Sequence, residues 1–224
     1  MAERKYRLYG FWRSLATYRV RVALALKGVA AEQVSINLLQ GRQHDAEYKA
    51  VNPQAVVPAL YVDAGPPLFQ SMAILEYLDE AHPKPPLLPA DPRGRARVRG
   101  IAQIAVADGH PLVVPRVRAY LEKELKLDEP ARNRWCAHWT LKALEAIEAH
   151  LAGERETGRY CHGDAPTLAD ICLAAQVFAA VAYFGCDVKA LPTCMRIYGE
   201  CLKLEAFDKS QPHKQPDAPA NPTH

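Results

Sequence analysis

Cysteine is absent from the first half of this 224-residue chain, and the six that follow, at positions 136, 161, 172, 186, 194 and 201, form no CxxC pair. No Cys/His group has zinc-ligand spacing either, so no metal is expected and the thiols read as reduced, structural residues. Long hydrophobic runs are also missing. The longest, Val177 to Phe184, falls far short of the ~18 residues a membrane span requires, so no membrane partner is expected. The charged start Met-Ala-Glu-Arg-Lys-Tyr-Arg is followed by no apolar signal core, which points to a cytoplasmic protein. An excess of one charge is lacking as well: 28 Lys and Arg face 25 Asp and Glu, and a net charge of +3 does not imply nucleic acid. The one basic run, Arg93, Arg95, Arg97 and Arg99, is spaced by two and scatters around a helix, so it reads as a solvated helix start and no nucleic-acid partner is expected.

What is present is an ordinary globular composition, 49% hydrophobic and 24% charged, which excludes wholesale disorder, collagen and coiled coil. The length suits one large domain or two small ones. The stretch from Pro83 to Pro92 holds five of the 18 prolines and can be neither helix nor central strand. It divides the chain into a first domain at 1–82, a linker at 83–91 and a second domain at 92–209. The remainder, 210–224, is polar, contains four prolines and has nothing to bury, so a disordered or loosely draped tail is expected.

Before the linker, strand and helix candidates alternate. Lys5 to Tyr9 and Gln33 to Leu38 read as strands, and Pro58 to Val62 with Pro67 to Phe69 as a hairpin around Ala64-Gly65. Val20, Val22, Leu24 and Leu26 alternate with Arg and Ala, nominally a strand period. The Ala, Leu, Arg and Lys content and the Lys27-Gly28 ending instead favour a helix over 16–27, buried on both sides. Ser71 can cap a helix running to His82. After the linker only helical periodicity remains. Asp91-Pro92 and Asp128-Glu129-Pro130 open helices, and Thr167-Leu168-Ala169-Asp170 fits a capping box before a buried, Ala-rich helix. The expected class is α/β followed by all-α.

Three segments carry a resemblance. They are Leu8-Tyr9-Gly10-Phe11-Trp12-Arg13-Ser14 with the helix after it, Asn52-Pro53-Gln54-Ala55-Val56-Val57-Pro58-Ala59-Leu60, and Gln70-Ser71-Met72-Ala73-Ile74-Leu75-Glu76. In order and spacing they resemble the glutathione transferases, and among these the zeta class, with Phe-Trp-Arg-Ser most similar to its bacterial maleylpyruvate and maleylacetoacetate isomerases. The likeness extends through His110-Pro111-Leu112 and Gly163 to Asp170 as far as Gln215-Pro216-Asp217.

The resemblance implies a thioredoxin-like βαβ-ββα domain, a helical glutathione-transferase domain, a homodimer, and glutathione as cofactor for cis-trans isomerisation of a maleyl-type diketo acid in aromatic catabolism. Where a thioredoxin-like redox enzyme would carry CxxC, this chain has Ser14-Leu15-Ala16-Thr17, which excludes disulfide chemistry there.

By the same resemblance Ser14 is the catalytic hydroxyl beside the glutathione sulfur; the residues alone favour a plain N-cap. Glutathione binding is implied for Ser14, Gln43, Val57 and Pro58 at a cis-proline turn, Gln70 and Ser71 at a helix start, and His110. Arg13 and Arg116 match arginines that hold substrate carboxylates. The family's second serine and cysteine are replaced by Leu15 and Ala16, and a third arginine expected after Gln176 is missing from the apolar run 177–184. Conjugation of a small electrophile, or a non-catalytic scaffold that kept the fold, are the alternatives these departures leave open.

Overall fold

The computed structural model describes residues 4–220. The first three positions of the domain expected at 1–82 and the last four of the tail expected at 210–224 lie outside the described residues. The chain forms two compact units: the segment up to Pro86 together with the segment from Glu205 onward, and Leu87–Leu204.

The first unit contains β1 (Tyr6–Gly10), α1 (Leu15–Leu26), β2 (Glu32–Ser35), α2 (Ala46–Val51), β3 (Ala59–Val62), β4 (Leu68–Phe69) and α3 (Ser71–Ala81). Its sheet runs β2-β1-β3-β4. The β1–β2 pair is parallel, with α1 as the crossover such a pair requires, and β3 is antiparallel to both of its neighbours.

The alternating segment is a helix, and its burial explains the ambiguous period: every residue from Leu15 to Leu24 is buried, so no polar face marks a turn of 3.6. It ends at Lys27, before Gly28 at φ +63°, a left-handed conformation that glycine adopts without strain. β2 stops at Ser35, short of the expected Leu38, because the Asn37 side chain accepts from Leu39 N and Gln40 N and bends the chain into a 3-10 turn. Ser71 is the first helical residue of α3; the capping position belongs to Gln70.

The chain after 204 departs furthest from expectation. A short helix, α9 (Glu205–Asp208), leads into a segment in which Ser210 and Pro212 are buried. The Ser210 carbonyl accepts from buried Arg21, and Asp217 accepts from Trp12 N and Ser35 Oγ, so residues 205–220 are held to the first unit by hydrogen bonds that composition does not reveal.

Among the described residues the second unit contains no strand. It comprises α4 (Pro92–Gln103), continuing through a π-helical turn at Ile104–Gly109, then α5 (Pro115–Lys123), α6 (Glu129–Gly153), α7 (Leu168–Phe178) and α8 (Pro192–Leu202). Asp91 caps α4 by accepting from Gly94 N at 2.7 Å, and Asp128 caps α6 from Ala131 N at 2.8 Å. The capping box at Thr167 and Asp170 starts α7, which is buried along its whole length and forms the centre of the unit. The end of the proline stretch is part of this core, since Leu87 and Leu88 are buried and the Leu87 carbonyl accepts from Leu168 N at 2.9 Å. Arg97 is not a solvated cation. It pairs with Glu154 and donates to the Cys161 carbonyl at 2.6 Å and to Thr157 Oγ1 at 2.9 Å, which fastens the loop before α7.

Glu148 on α6, 8% exposed, accepts from Thr193 N at 2.9 Å and Cys194 N at 2.7 Å in the first turn of α8. Burial pushes its carboxyl up, but the hydrogen bonds from Cys194 and Thr193 together outweigh burial and hold it below the usual carboxylate value. A depressed folded-state pKa stabilises above the unfolded value, and that contribution is lost as pH falls from about 4.3 through the folded value. Thermal melts should therefore show Glu148→Gln less stable than the parent at neutral pH, with the gap closing on acidification. A gap independent of pH would remove this role.

Candidate functional site

Strand register sets the site. Tyr9 pairs with Ala59 and Gly10 with Ser35, while Ala59 also pairs with Phe69. One step further along each strand, the residues leaving β1, entering β3 and leaving β4 emerge at the same end of the sheet. These are the turn to Ser14, the Val57-Pro58 bond, and Gln70-Ser71. The N-termini of α1 and α3 lie at this end, and the aligned backbone dipoles give each a partial positive charge suited to an anion.

Ser14 caps α1: its Oγ accepts from Thr17 N at 3.2 Å, and its own N–H donates to the Phe11 carbonyl at 3.0 Å. The hydroxyl proton is left to donate outward. The approach of this loop to α1 requires glycine at position 10, where a Cβ would come within 2.3 Å of Thr17 Cγ2. Arg13 is half-buried beside Ser14.

The Val57-Pro58 peptide bond is cis. The turn before it is pinned at the Val56 carbonyl, which accepts from Tyr48 Oη at 2.7 Å and Asn52 Nδ2 at 2.8 Å; burial pushes the Tyr48 phenol up and keeps it a donor. Neither the N–H nor the C=O of Val57 has a hydrogen-bond partner among the described residues. Together they form an unpaired strand edge at a largely buried position, ready to pair with an extended peptide.

Gln70 sits at φ +67°, and its Nε2 donates to Gln54 Oε1 at 3.0 Å. Ser71 is buried, and its Oγ accepts from Arg19 Nε at 3.1 Å. Arg19, only 2% exposed, thus puts a cation beneath the N-terminus of α3. Sequence reasoning missed both Gln54 and Arg19. The available signal for Arg19 was an arginine inside a helix otherwise buried on both faces. Gln43 lies in a 3-10 turn, its Nε2 at 3.2 Å from His44 Nε2 and its Oε1 buried without a partner. Its loop leaves the same end of the sheet, since Ile36 N donates to the Gly10 carbonyl at 2.7 Å.

His110 and Arg116 belong to the second unit. His110 opens a 3-10 turn that follows the π-helical turn, and Arg116 is exposed in the first turn of α5. Among the described residues no cluster of His, Cys, Asp or Glu could hold a metal, and no helix is long and apolar enough to cross a membrane. All six cysteines are free; burial pushes Cys136, Cys161, Cys186, Cys194 and Cys201 up, which disfavours their thiolates.

Residues 4–80 match the family model described as glutathione S-transferase, N-terminal domain, and residues 129–196 that described as glutathione S-transferase, C-terminal domain. A maleylpyruvate isomerase from Ralstonia sp is 44% identical, over 95% of this chain and 99% of that protein. The solved holo structure of a maleyl pyruvate isomerase, a bacterial glutathione S-transferase of the zeta class, is similar at TM-score 0.92 and 43% identity, over 95% of this chain and 100% of that one. A maleylacetoacetate isomerase from Methylobacterium extorquens AM1, solved with malonate and glutathione bound, is similar at TM-score 0.92 and 46% identity, over 96% and 100% of the two chains.

Proposed function

We propose, from the premise that this chain belongs to the glutathione S-transferase family, that it is a glutathione-dependent cis-trans isomerase of maleyl-type diketo acids. The observation that carries this reading is the end-to-end likeness to isomerases of maleyl compounds.

The residues at the sheet end fit glutathione, an extended peptide with two carboxylates, an ammonium and a thiol. Val57 offers an unpaired N–H and C=O to the cysteinyl backbone. Ser71, Gln70 and the α3 N-terminus, with Arg19 beneath, suit the γ-glutamyl carboxylate. Gln43 is assigned to the glycine end and His110 to a further glutathione contact. When bound, glutathione supplies a thiolate that adds to the activated double bond, allows rotation and leaves again.

Ser14 holds that sulfur in its anionic form by donating its hydroxyl proton as a hydrogen bond. Lowering a thiol pKa from ~8.5 by about two units requires ~2.7 kcal/mol of preference for the thiolate. A hydrogen bond to a charged group contributes ~1.5 to 3 kcal/mol, and the helix end roughly 0.3 to 1. Ser14 and the α1 N-terminus together supply about 1.8 to 4 kcal/mol, a range that brackets the requirement.

Arg13 and Arg116 are assigned to the substrate carboxylates. Alanine at either should reduce kcat/KM for maleylpyruvate by roughly ten- to a hundredfold, as loss of a ~1.5 to 3 kcal/mol charge-assisted bond implies, and should barely affect an uncharged aryl halide at saturating glutathione. Equal losses on both substrates would withdraw the assignment.

The reaction itself is tested by following free thiol while the trans isomer forms from maleylpyruvate. Thiol should stay constant, because the cofactor is regenerated. Thiol falling in step with product would replace isomerisation by conjugation, an alternative that Leu15, Ala16 and the missing third arginine leave open. A cytoplasmic homodimer completes the proposal, with light scattering as the check on its mass.

A further inference from the structure

The chain between Gly10 and Ser14 lies outside any regular element, so its backbone groups need partners from elsewhere. Trp12, two residues before Ser14, finds both of its partners outside the loop. Its N–H donates to Asp217 Oδ2 at 3.0 Å, and its carbonyl accepts from Arg21 Nη2 at 3.2 Å. The same oxygen of Asp217 accepts from Ser35 Oγ at 2.6 Å, at the end of β2. Arg21, 7% exposed, also gives its Nε to the Ser210 carbonyl at 3.3 Å, and the Tyr18 hydroxyl donates to the Phe207 carbonyl at 3.4 Å. The His213 ring lies 6.0 Å from the Trp12 ring, and Ala218 packs on the cluster of Phe11, Trp12, Tyr48 and Val57. The loop that carries Ser14 is thus held at both backbone atoms of one residue, and one of those holds comes from 205 positions along the chain.

We infer that Asp217 is a positioning residue for the thiol chemistry: the segment 205–220 is a brace, and Asp217 is where it fixes the loop that aims the Ser14 hydroxyl. The inference rests on the assignment of Ser14 above. A hydrogen bond from serine to sulfur weakens steeply as its angle and distance drift, so a loosened loop stabilises the thiolate less and the thiol pKa rises. The charge of Asp217 acts with the opposite sign. A nearby carboxylate disfavours a thiolate, so removing the charge alone would lower the thiol pKa.

The test is a titration of glutathione bound to the full-length protein, followed by thiolate ultraviolet absorbance, in Asp217→Ala, Asp217→Asn, Ser14→Ala and the Ser14→Ala/Asp217→Ala pair. Asp217→Ala should shift the midpoint upward by about half to one pH unit. Asp217→Asn keeps an oxygen that can accept from both donors and removes only the charge, so its midpoint should lie at or below that of the parent. In the Ser14→Ala background, Asp217→Ala should no longer raise the midpoint, because the rise acts through that hydroxyl and only the opposing effect of the lost charge remains. In the glutathione-free protein, the Trp12 amide should exchange with deuterium faster in Asp217→Ala.

An unchanged or lowered midpoint in Asp217→Ala, with Ser14→Ala raised, overturns the inference and leaves the Ser14 assignment standing. An unchanged midpoint in Ser14→Ala itself removes both. Should Asp217→Ala fail to fold in thermal melts, Ser35→Ala removes one of the two donors to Asp217 and should shift the midpoint the same way by less; no shift would again overturn the inference.

Discussion

Replacing Ser14 by alanine should raise the pKa of bound glutathione by about one to two units and reduce kcat/KM at neutral pH by roughly ten- to a hundredfold. The size follows from the one hydrogen bond removed, ~1.5 to 3 kcal/mol to a charged acceptor. No other side-chain hydroxyl or thiol stands in the next two positions to replace it, because Leu15 and Ala16 are buried apolar residues. The pH profile separates this cause from misfolding. If only the thiolate population is affected, the loss should shrink as pH rises past the new thiol pKa, where the sulfur ionises unaided. Stability should fall by only about 1 kcal/mol, the worth of an N-cap, since Ser14 accepts one helical N–H. The measurement is the thiolate titration with a parallel thermal melt. A midpoint that does not move would leave Ser14 as a helix cap and nothing more.

The largest effect on the fold should come from Asp170→Ala. This carboxylate is completely buried and accepts from Cys161 N at 2.7 Å, Thr167 N at 2.8 Å and Thr167 Oγ1 at 2.8 Å. It ties the loop before α7 to the first turn of that helix, at the centre of the second unit. Alanine leaves two buried backbone N–H groups without acceptors at about 1 to 3 kcal/mol each, so a loss of about 2 to 6 kcal/mol is expected. The Thr167 hydroxyl can rotate to another acceptor and adds little. Asp170→Asn should recover only part of the loss, since its amide nitrogen would face a donor where Asp170 has an oxygen. Denaturant unfolding of the three proteins gives the comparison. An alanine variant within about 1 kcal/mol of the parent would mean that solvent or a shifted carbonyl satisfies both N–H groups.

What the sequence determined by itself was whatever depends on residues a few positions apart. The caps at Asp91, Asp128 and the Thr167–Asp170 box are contacts across three residues, and they were readable because donor and acceptor share a short stretch of chain. The two-part layout was equally legible from the proline stretch, whereas the positions assigned to glutathione came only from a resemblance to a known family.

Tertiary structure alone decided which of these positions meet, since that depends on the pairing of Tyr9 with Ala59 and of Ala59 with Phe69. It also decided that Arg19 and Arg21 could be buried, because their partners Ser71 and Ser210 lie 52 and 189 positions away. The polar segment after 209 read as a tail for the same reason: Asp217 looks solvent-bound until Trp12 N–H and Ser35 Oγ are brought to it. A charged or polar side chain is costly to bury without partners and cheap to bury with them. Local periodicity records the residue type, whereas the partner that settles its burial is supplied by the fold.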